Sequence, residues 1–243
     1  MKHFGLLGKN IDYSFSRGYF SEKFQKENIN ADYSNFDIAD ISEFPLLLEK
    51  STNFAGLNVT IPYKVAIIDF LDDLAEEAKA IQAVNVIKFE LGGKLIGYNT
   101  DFIGFRDSIR PYLQPQHTHA LILGTGGASK AIAYALKTLG ISYKFVSRTP
   151  KKNQFSYTEL TKEILLKYSL LINTTPLGTY PDIKNCPDIP YQFITNNHLV
   201  YDLIYNPSVT SFMQKSKDNG ATAVNGQNML ELQAEAAWRI WNS

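Results

Sequence analysis

A lysine and an aspartate each stand where an apolar segment of the sequence ends. Lys64 closes the run GLNVTIPYK, in which Pro62 predicts the first turn of a helix after a buried strand. The dipole at a helix N-terminus favours the neutral amine of a lysine, whereas a nearby carboxylate favours the ammonium form. Asp101, in GYNTDFIGF, could supply that carboxylate. A lysine whose pKa is lowered by the helix dipole and raised by a carboxylate can donate and accept a proton, so this pair predicts general acid–base catalysis. The alternative is that Lys64 is a surface residue whose ammonium group lies in solvent.

A glycine turn, LGTGGAS, runs from Leu123 to Ser129 between an apolar strand and an apolar helix. Gly124 would permit a tight turn, Gly126 would let the backbone approach a pyrophosphate, and the helix N-terminus would supply amide donors. Ser129 occupies the third glycine position of the G-x-G-x-x-G pattern, and glycine turns also serve close packing. The strand–turn–helix context favours a dinucleotide-binding site.

The end of the next strand distinguishes between two dinucleotides. NAD-binding units place Asp or Glu about 20 residues beyond the glycines, where the carboxylate binds the ribose 2′-hydroxyl. This sequence has VSRTPKK there, with Arg148, Lys151 and Lys152 and without a carboxylate. A solvated basic loop is the alternative, but the position predicts NADP rather than NAD.

The composition favours a small-molecule partner over a polymer or a membrane. The 243 residues include 24 Lys and Arg and 24 Asp and Glu, so no bulk charge attracts nucleic acid or an anionic membrane. The one cysteine, Cys186, excludes an internal disulfide framework and fits a reducing cytosol. The four histidines lack metal-ligand spacing, and the chain lacks a signal peptide's apolar core and any run of membrane-spanning length. We therefore expect a soluble, cytoplasmic protein without a metal site, whose histidines are surface or structural residues.

Strand-like and helix-like segments alternate along the chain, which predicts an α/β fold. Strands are expected at HFGLLG, ADYSNFDI and FAGLNVT, and a hairpin in AVNVIKFELGGKLIGYN around Gly92-Gly93. From His119, a strand, the glycine turn, a helix and a second strand follow one another as in a βαβ unit. An amphipathic helix, GQNMLELQAEAAWRIW, follows near the C-terminus. Two domains with a boundary within 101–118 account for this pattern.

Seven motifs resemble, in sequence and in order, those of the shikimate dehydrogenase family: NVTIPYK, AVNVI, GYNTDFIGF, LGTGGAS, INTTPLGT, DLIYNP and GQNMLELQA. The resemblance covers almost the whole chain. It implies the NADPH-dependent, reversible reduction of 3-dehydroshikimate to shikimate, a step of aromatic amino-acid and chorismate biosynthesis. It also implies an N-terminal α/β substrate domain (1–101), a Rossmann-like NADP-binding domain (102–226) and a C-terminal helix (227–243) that packs back on the first domain.

The resemblance also implies roles for individual residues. Lys64 would be the catalytic lysine and Asp101 its partner, both also touching substrate, while Ser14 and Ser16 would hold the substrate carboxylate. Capping of a helix is the alternative role for Ser16. The further substrate contacts would be Thr60, Asn85, Tyr205 and Gln233. The cofactor contacts would be Gly124, Thr125, Gly126, Gly127, Ala128, Ser147, Arg148, Thr149, Lys152, Leu203 and Gly226.

Five positions depart from the family's pattern: Tyr13, Arg17, Gln82, Val86 and Ser147. We expect these departures to affect the exact placement of the substrate and the affinity for the cofactor, and not the class of reaction. Two other functions stay open, a broader quinate/shikimate dehydrogenase that uses NAD and a catalytically silent NADP-binding regulatory protein. The absence of a carboxylate near Arg148 argues against the first. The joint retention of five residues argues against the second: Lys64, Asp101, Ser14, Ser16 and Gln233. A monomer and a homodimer are both compatible with the composition.

Overall fold

Strands and helices alternate through residues 1–12, 14–50 and 53–243, the part of the chain that the computed structural model describes. These residues form two compact units, residues 1–100 together with 234–243, and residues 101–233. Each unit is built on its own β-sheet with helices around it. The α/β fold class predicted from the alternating pattern is confirmed.

The first unit contains a mixed β-sheet and short helices. Its elements are β1 (Lys2–Gly8), α1 (Phe15–Lys26), β2 (Ala31–Asp37), α2 (Phe44–Lys50), β3 (Phe54–Val59), β4 (Asp73–Leu74), α3 (Glu76–Ile81), β5 (Val86–Phe89) and β6 (Leu95–Tyr98), with 3₁₀ helices at Ile41–Glu43 and Ala66–Phe70. The strand order is β2-β1-β3-β5-β6-β4. β1 is parallel to β2 and β3, whereas β5 is antiparallel to β3 and β6. The carboxyl ends of β1, β3 and β6 and the amino end of β5 therefore meet at one edge, here called the site edge.

The second unit contains a parallel sheet. Its elements are α4 (Asp101–Ile109), β7 (His119–Leu123), α5 (Gly127–Thr138), β8 (Ser142–Val146), α6 (Lys162–Lys167), β9 (Leu170–Asn173), β10 (Leu199–Asp202), α7 (Ser211–Asp218), β11 (Thr222–Val224) and the first half of α8 (Gln227–Trp241). Three 3₁₀ helices lie at Arg110–Tyr112, Tyr157–Glu159 and Tyr191–Phe193. β9 and β10 are buried along their whole length, as expected for strands covered on both faces.

The strand order of the second sheet, β11-β10-β9-β7-β8, corresponds to a dinucleotide-binding fold that lacks one outer strand. In the doubly wound order a further strand would lie beside β8. Among the described residues, a single parallel bridge between Val146 and Phe155 lies in its place. It is held by hydrogen bonds from the Phe155 amide to the Phe145 carbonyl and from the Ser147 amide to the Phe155 carbonyl, both 2.9 Å. The unit is thus a shortened Rossmann-like fold.

The second half of α8 completes the core of the first unit. Trp238 and Trp241 pack against the buried ring of Phe4, with ring centroids 5.5 and 4.9 Å away. The Trp241 indole Nε1 donates a hydrogen bond of 3.1 Å to the Ile87 carbonyl. Gly56 of β3 allows this approach, because a Cβ atom there would overlap the Trp241 ring. The C-terminal residues are therefore part of the core that supports the site edge.

The helix expected to begin at Pro62 is absent, so that prediction is wrong. Residues 61–65 form a turn, and a 3₁₀ helix begins only at Ala66. The Lys64 carbonyl accepts a 2.7 Å hydrogen bond from the Val84 amide, and the Ile68 amide bonds to the Val65 carbonyl instead. An α-helix would need the Lys64 carbonyl for the amide of residue 68. The argument that a helix dipole acts on Lys64 therefore does not apply.

Candidate active site

Five of the residues predicted to bind substrate lie at the site edge of the first unit. Ser14 is the N-cap of α1 and Ser16 is the second residue of that helix. Thr60 directly follows β3, Lys64 lies in the turn after it, and Asn85 directly precedes β5. Thr60, Lys64 and Asn85 lie beside the ends of β3 and β5 at this edge, and Ser14 and Ser16 lie at the start of α1, which follows the carboxyl end of β1.

A buried hydrogen-bonded chain runs behind these residues. Tyr33 of β2 donates from its hydroxyl to Asn58 Oδ1 at 2.7 Å, and Asn58 Nδ2 donates to the Asn85 carbonyl at 3.4 Å. The Asn85 carboxamide then accepts from the Thr100 amide at 2.6 Å and donates to Thr100 Oγ1 at 3.0 Å. Buried amides linked in this way keep one orientation, since each rotation would leave a polar group unpaired.

The loop that leads to Ser14 is held by two polar side chains of β2. The Asp37 carboxylate accepts from the amides of Asn10 and Ile11 at 3.0 and 3.1 Å, and Asn35 Nδ2 donates to the Ile11 carbonyl at 2.8 Å. Ser14 does not cap α1 with its side chain, and among the described residues its buried Oγ has no hydrogen-bond partner. A buried hydroxyl without a partner costs about 1–3 kcal/mol, which a ligand that accepts a hydrogen bond would recover.

Lys64 and Asp101, the predicted proton-transfer pair, occupy different local settings. Lys64 is half-buried in the turn after β3 and belongs to the first unit. Asp101 is 6% exposed and is the first residue of α4, directly after Thr100 in the chain. Its side chain therefore lies at the N-terminus of α4.

Tyr205 and Gln233, the remaining predicted substrate residues, belong to the second unit. Gln233 is buried on α8, and its Nε2 donates to the Leu230 carbonyl at 2.9 Å. Gly104 of α4 faces this turn of α8, and a Cβ atom there would lie 3.0 Å from Gln233 Cβ. Tyr205 is half-buried in the loop that follows β10.

The glycine turn has the form that the sequence predicts for a pyrophosphate-binding loop. Gly124 follows β7 with a φ of 107°, a conformation that favours glycine, and Gly126 is the N-cap of α5. Cβ atoms built at Gly126 and Gly127 meet none of the described atoms within 4 Å, so both glycines border open space. Ser129, at the third glycine position, is buried and donates to the Gly126 carbonyl at 2.6 Å. The N-terminus of α5 therefore has open space beside it, in which the pyrophosphate of a dinucleotide could accept hydrogen bonds from the backbone amides.

The basic loop after β8 has the exposure expected of a phosphate-binding segment. Arg148, Thr149 and Lys152 are exposed, whereas Ser147 is buried and accepts a 3.2 Å hydrogen bond from the Thr149 amide. Ser147 thus shapes the loop from inside. Arg148 and Lys152 carry positive charge at the position where an NAD-binding site has a carboxylate, so this loop fits the 2′-phosphate of NADP.

Asp202, at the end of β10, organises two loops of the second unit and was not identified from the sequence. Its carboxylate accepts from Asn173 Nδ2 at 3.0 Å, from the Ile204 amide at 3.1 Å and from Thr210 Oγ1 at 2.6 Å. Burial raises the pKa of the Asp202 carboxyl to about 6, although these hydrogen bonds lower it. The only available signal was an aspartate that ends an apolar run, and that signal does not distinguish a buried carboxylate from an exposed one.

Gly226 and Leu203, both predicted to lie beside the nicotinamide, touch each other. The Gly226 amide donates to the Ile204 carbonyl at 3.1 Å, and a Cβ atom at Gly226 would overlap the backbone of Leu203. Only glycine permits this approach, which sets the start of α8 against the loop after β10.

The departures from the family pattern have different structural settings. Gln82 ends α3 with a φ of 57°, in the left-handed region where glycine is favoured. Arg17 is exposed and donates to the Asp12 carbonyl at 3.2 Å, and Val86 is buried as the first residue of β5. Tyr13 lies outside the described residues.

The two buried histidines have structural roles, in agreement with the interpretation from their spacing. His198 accepts from the Thr195 amide at its Nδ1 at 3.0 Å, and its Nε2 lies 3.0 Å from the Leu165 carbonyl. Burial lowers the pKa of both His117 and His198. Within 1–12, 14–50 and 53–243, no three metal-ligating side chains cluster. In the same residues, no helix combines the length and apolarity needed to cross a membrane.

Comparison with known proteins identifies relatives along the whole chain. The family model described as the shikimate dehydrogenase substrate binding domain matches residues 6–87. The shikimate dehydrogenase (NADP(+)) of Clostridium botulinum is 39% identical over 248 residues, which cover 98% of this chain and 95% of the relative.

Two solved structures have the same fold. Shikimate dehydrogenase from Aquifex aeolicus has a TM-score of 0.88 and 32% identity, covering 100% of this chain and 92% of that one. The enzyme of Thermus thermophilus in complex with NADP(H) and shikimate has a TM-score of 0.88 and 29% identity, with 99% and 93% covered. On this sequence identity and coverage, the chain belongs to the shikimate dehydrogenase family, as the ordered motifs predicted.

Proposed function

We propose that this protein catalyses the NADPH-dependent, reversible reduction of 3-dehydroshikimate to shikimate. The observation that carries the proposal is the convergence of Ser14, Ser16, Thr60, Lys64 and Asn85 at the site edge. Family membership and the Thermus relative that binds NADP(H) and shikimate support it further. The reaction belongs to aromatic amino-acid and chorismate biosynthesis.

The polar residues of the site edge hold the substrate. Ser14 and Ser16 donate hydrogen bonds to its carboxylate, a role for which the unpartnered Ser14 hydroxyl is suited. Thr60, Asn85 and Gln233 bind the ring hydroxyls or the carboxylate, and Tyr205 contacts the substrate beside the nicotinamide. The Asn85 carboxamide is held in one orientation by its two hydrogen bonds to Thr100.

Lys64 carries the proton. In reduction its ammonium group donates a proton to the oxygen of the C3 carbonyl, and in oxidation its neutral amine accepts the proton of the C3 hydroxyl. Asp101 orients the lysine and a ring hydroxyl. General acid–base help of this kind contributes about 10²–10⁴ in rate.

The second unit holds the cofactor. NADPH, when bound, supplies the hydride. The backbone from Gly124 to Ala128, through Thr125, Gly126 and Gly127, receives the pyrophosphate beside the N-terminus of α5. Arg148, Thr149 and Lys152 bind the 2′-phosphate from the loop that Ser147 shapes. Leu203 and Gly226 form the contact beside the nicotinamide.

The experiment that tests the proposal follows absorbance at the nicotinamide band while shikimate and NADP are mixed with purified protein. We expect reduction of NADP, little reduction of NAD at equal concentration, and low activity with quinate. Binding of NADP without turnover would instead identify a silent regulatory protein. Equal turnover with NAD and with quinate would identify the broader quinate/shikimate dehydrogenase.

The functional division of the chain is part of the same proposal. We assign substrate binding to residues 1–101, NADP binding to 102–226 and a supporting role to the helix at 227–243. A small molecule is the partner, nucleic acid is not, and the protein acts in the cytoplasm as a monomer or homodimer. Light scattering on the eluted protein distinguishes the two oligomeric states.

A further inference from the structure

Asp202 is bonded to both loops that border the proposed cofactor contacts, although the proposed function gives it no role. Asp202 and Asn173 are fully buried and form a register pair at the carboxyl ends of β10 and β9. The Asp202 carboxylate accepts three hydrogen bonds: Oδ1 accepts from Asn173 Nδ2 and from the Ile204 amide, and Oδ2 accepts from Thr210 Oγ1 at the start of α7. Two of these three bonds lead on to residues beside the proposed cofactor contacts.

The first of these bonds leads through Asn173 to the glycine turn. Asn173 Oδ1 accepts from the Thr175 amide at 3.0 Å and from Thr175 Oγ1 at 2.7 Å. Because a backbone amide only donates, this contact identifies the carboxamide oxygen and leaves Nδ2 facing Asp202. Thr174 and Thr175 pack against Gly124, since a Cβ atom there would lie 2.9 Å from Thr174 Oγ1 and 3.0 Å from Thr175 Cγ2. The bond between Asp202 and Asn173 therefore orients the loop that packs against the glycine turn.

The second bond leads to the contact between Leu203 and Gly226. The Ile204 amide donates to Asp202, and the Ile204 carbonyl accepts from the Gly226 amide at 3.1 Å. The Leu203 amide donates to the Asn173 carbonyl, also at 3.1 Å. The backbone on both sides of Leu203 is therefore bonded, directly or through Asn173, to one carboxylate.

We propose that Asp202 is a positioning residue of the cofactor site, whose carboxylate holds the loops after β9 and β10 in the arrangement that binds NADP. The inference rests on the proposed function, because NADP binding is there assigned to the second unit. A carboxylate suits this position because it only accepts, and all three of its partners are donors. Loops that are ordered before the cofactor binds do not subtract an ordering cost from its affinity.

Titration of the protein with NADPH, followed by the fluorescence of the bound cofactor, tests this role without depending on turnover. We expect the Kd for NADPH to rise about tenfold in Asp202→Ala, because both loops must then be ordered when the cofactor binds. Asp202→Asn should raise it less, about threefold, since its side-chain oxygen can still accept from Asn173 and Ile204. The titrations are made at about pH 8, where the Asp202 carboxyl, whose pKa burial raises to about 6, is ionised.

Tyr201→Phe is the matched control. Tyr201 precedes Asp202 on β10, so its side chain points to the other face of the sheet. It is also fully buried, and its hydroxyl lies 2.7 Å from that of Ser108. Tyr201→Phe should lower the thermal stability and leave the Kd for NADPH unchanged. A general loosening of the second unit would raise the Kd in both variants and would contradict a specific role for Asp202.

A double-mutant cycle with Asn173→Ala shows whether Asp202 acts through Asn173. We expect the two substitutions together to raise the Kd for NADPH by less than the product of their separate effects, because each breaks the same connection to the loop that packs against Gly124. Asp202→Asn replaces Asp202→Ala in the cycle if the alanine variant is not recovered folded.

Two further outcomes overturn the inference while leaving the proposed function intact. One is a wild-type Kd for NADPH in a folded Asp202→Ala protein, or in Asp202→Asn where only that variant folds. The other is full additivity with Asn173→Ala. Failure of the proposed reaction is recognised separately, since the unmodified protein would then bind NADPH without oxidising shikimate, and the effect of Asp202 on binding would still be measured.

Discussion

The substrate side and the phosphate side of the proposed site present different kinds of atoms. At the site edge of the first unit, the side chains of Asn58, Asn85 and Thr100 are buried and hydrogen-bonded in a chain. At the glycine turn of the second unit, Gly126 borders open space, and the nearby loop exposes Arg148. Under the proposed function, the first region would bind its ligand through side chains of fixed orientation, and the second through backbone amides, open space and positive charge.

This difference follows from what each region has to recognise. A ring with several hydroxyls is distinguished from its isomers by donors and acceptors of fixed direction, because a mismatch leaves a buried group unpaired. A phosphate carries charge and several equivalent oxygens, so amides and cations suffice if the backbone can come close. Substitutions in the first region should therefore affect chemistry, and those in the second should affect cofactor affinity.

The largest effect is expected for Lys64→Ala. Loss of the general acid should lower kcat by at least about 10²–10⁴-fold, whereas NADP affinity should stay nearly unchanged because Lys64 belongs to the first unit. Steady-state kinetics and titration with NADP measure the two quantities. Lys26→Ala, at an exposed position of α1, is the control. Turnover at the wild-type rate in Lys64→Ala would show that another group carries the proton.

The buried carboxyl of Asp202 makes the stability of the second unit depend on pH. Burial raises the pKa of the Asp202 carboxyl from its ordinary value of 3.8 to about 6 in the folded protein. A raised folded pKa contributes stability that is present below about pH 4 and is lost as the pH rises through about 6. The difference of about two pH units corresponds to about 3 kcal/mol.

Comparison of the unmodified protein with Asp202→Asn isolates this contribution. The unfolding free energy of the unmodified protein, measured by urea titration relative to Asp202→Asn, should fall as the pH rises from about 4 to about 7. His117 and His198 act in the opposite direction in both proteins, because their lowered pKa values remove stability as the pH falls below about 6.5. A pH-independent difference between the two proteins would contradict the titration assigned to Asp202.

Gly126→Val tests the role of clearance at the glycine turn. The added side chain meets no described atom within 4 Å, so stability should change little, while overlap with the pyrophosphate should raise the KM for NADP about 10–100-fold. Gly226→Ala provides the contrast, because its Cβ atom would overlap the Leu203 backbone and should lower stability instead. Thermal unfolding and NADP titration separate the two effects. Equal loss of stability in both variants would argue that Gly126 is a packing glycine.

The smallest effect is expected for Arg148→Ser. Loss of one exposed cation beside the 2′-phosphate should raise the KM for NADP about tenfold and leave the KM for NAD unchanged. Added salt should reduce the difference, since exposed charges are screened. Lys162→Ser, at an exposed position of α6, is the control. An equal change in KM for both dinucleotides would assign Arg148 to a part of the cofactor that NAD shares.

Local patterns were sufficient to predict the fold class and the glycine turn. Gly124 illustrates why, because its φ of 107° favours glycine and is required within a turn of only a few residues. The helix expected from Pro62 failed for the opposite reason. The Lys64 carbonyl is taken by the Val84 amide, which reaches it from a distant part of the chain. The presence of Pro62 in the sequence does not indicate that the Val84 amide will bind the Lys64 carbonyl.

The sequence by itself determined the α/β class, the family, the proposed NADP preference and the residue types available for chemistry, because these depend on short motifs and their order. Only the tertiary structure decided that Tyr33 meets Asn58, that Asp37 holds the loop before Ser14, and that Asp202 joins two loops. Tyr33 and Asn58 are 25 residues apart and bond only once β1, β2 and β3 have paired. The same residue types occur on protein surfaces, so their burial and partners depend on strand pairing and not on the local sequence.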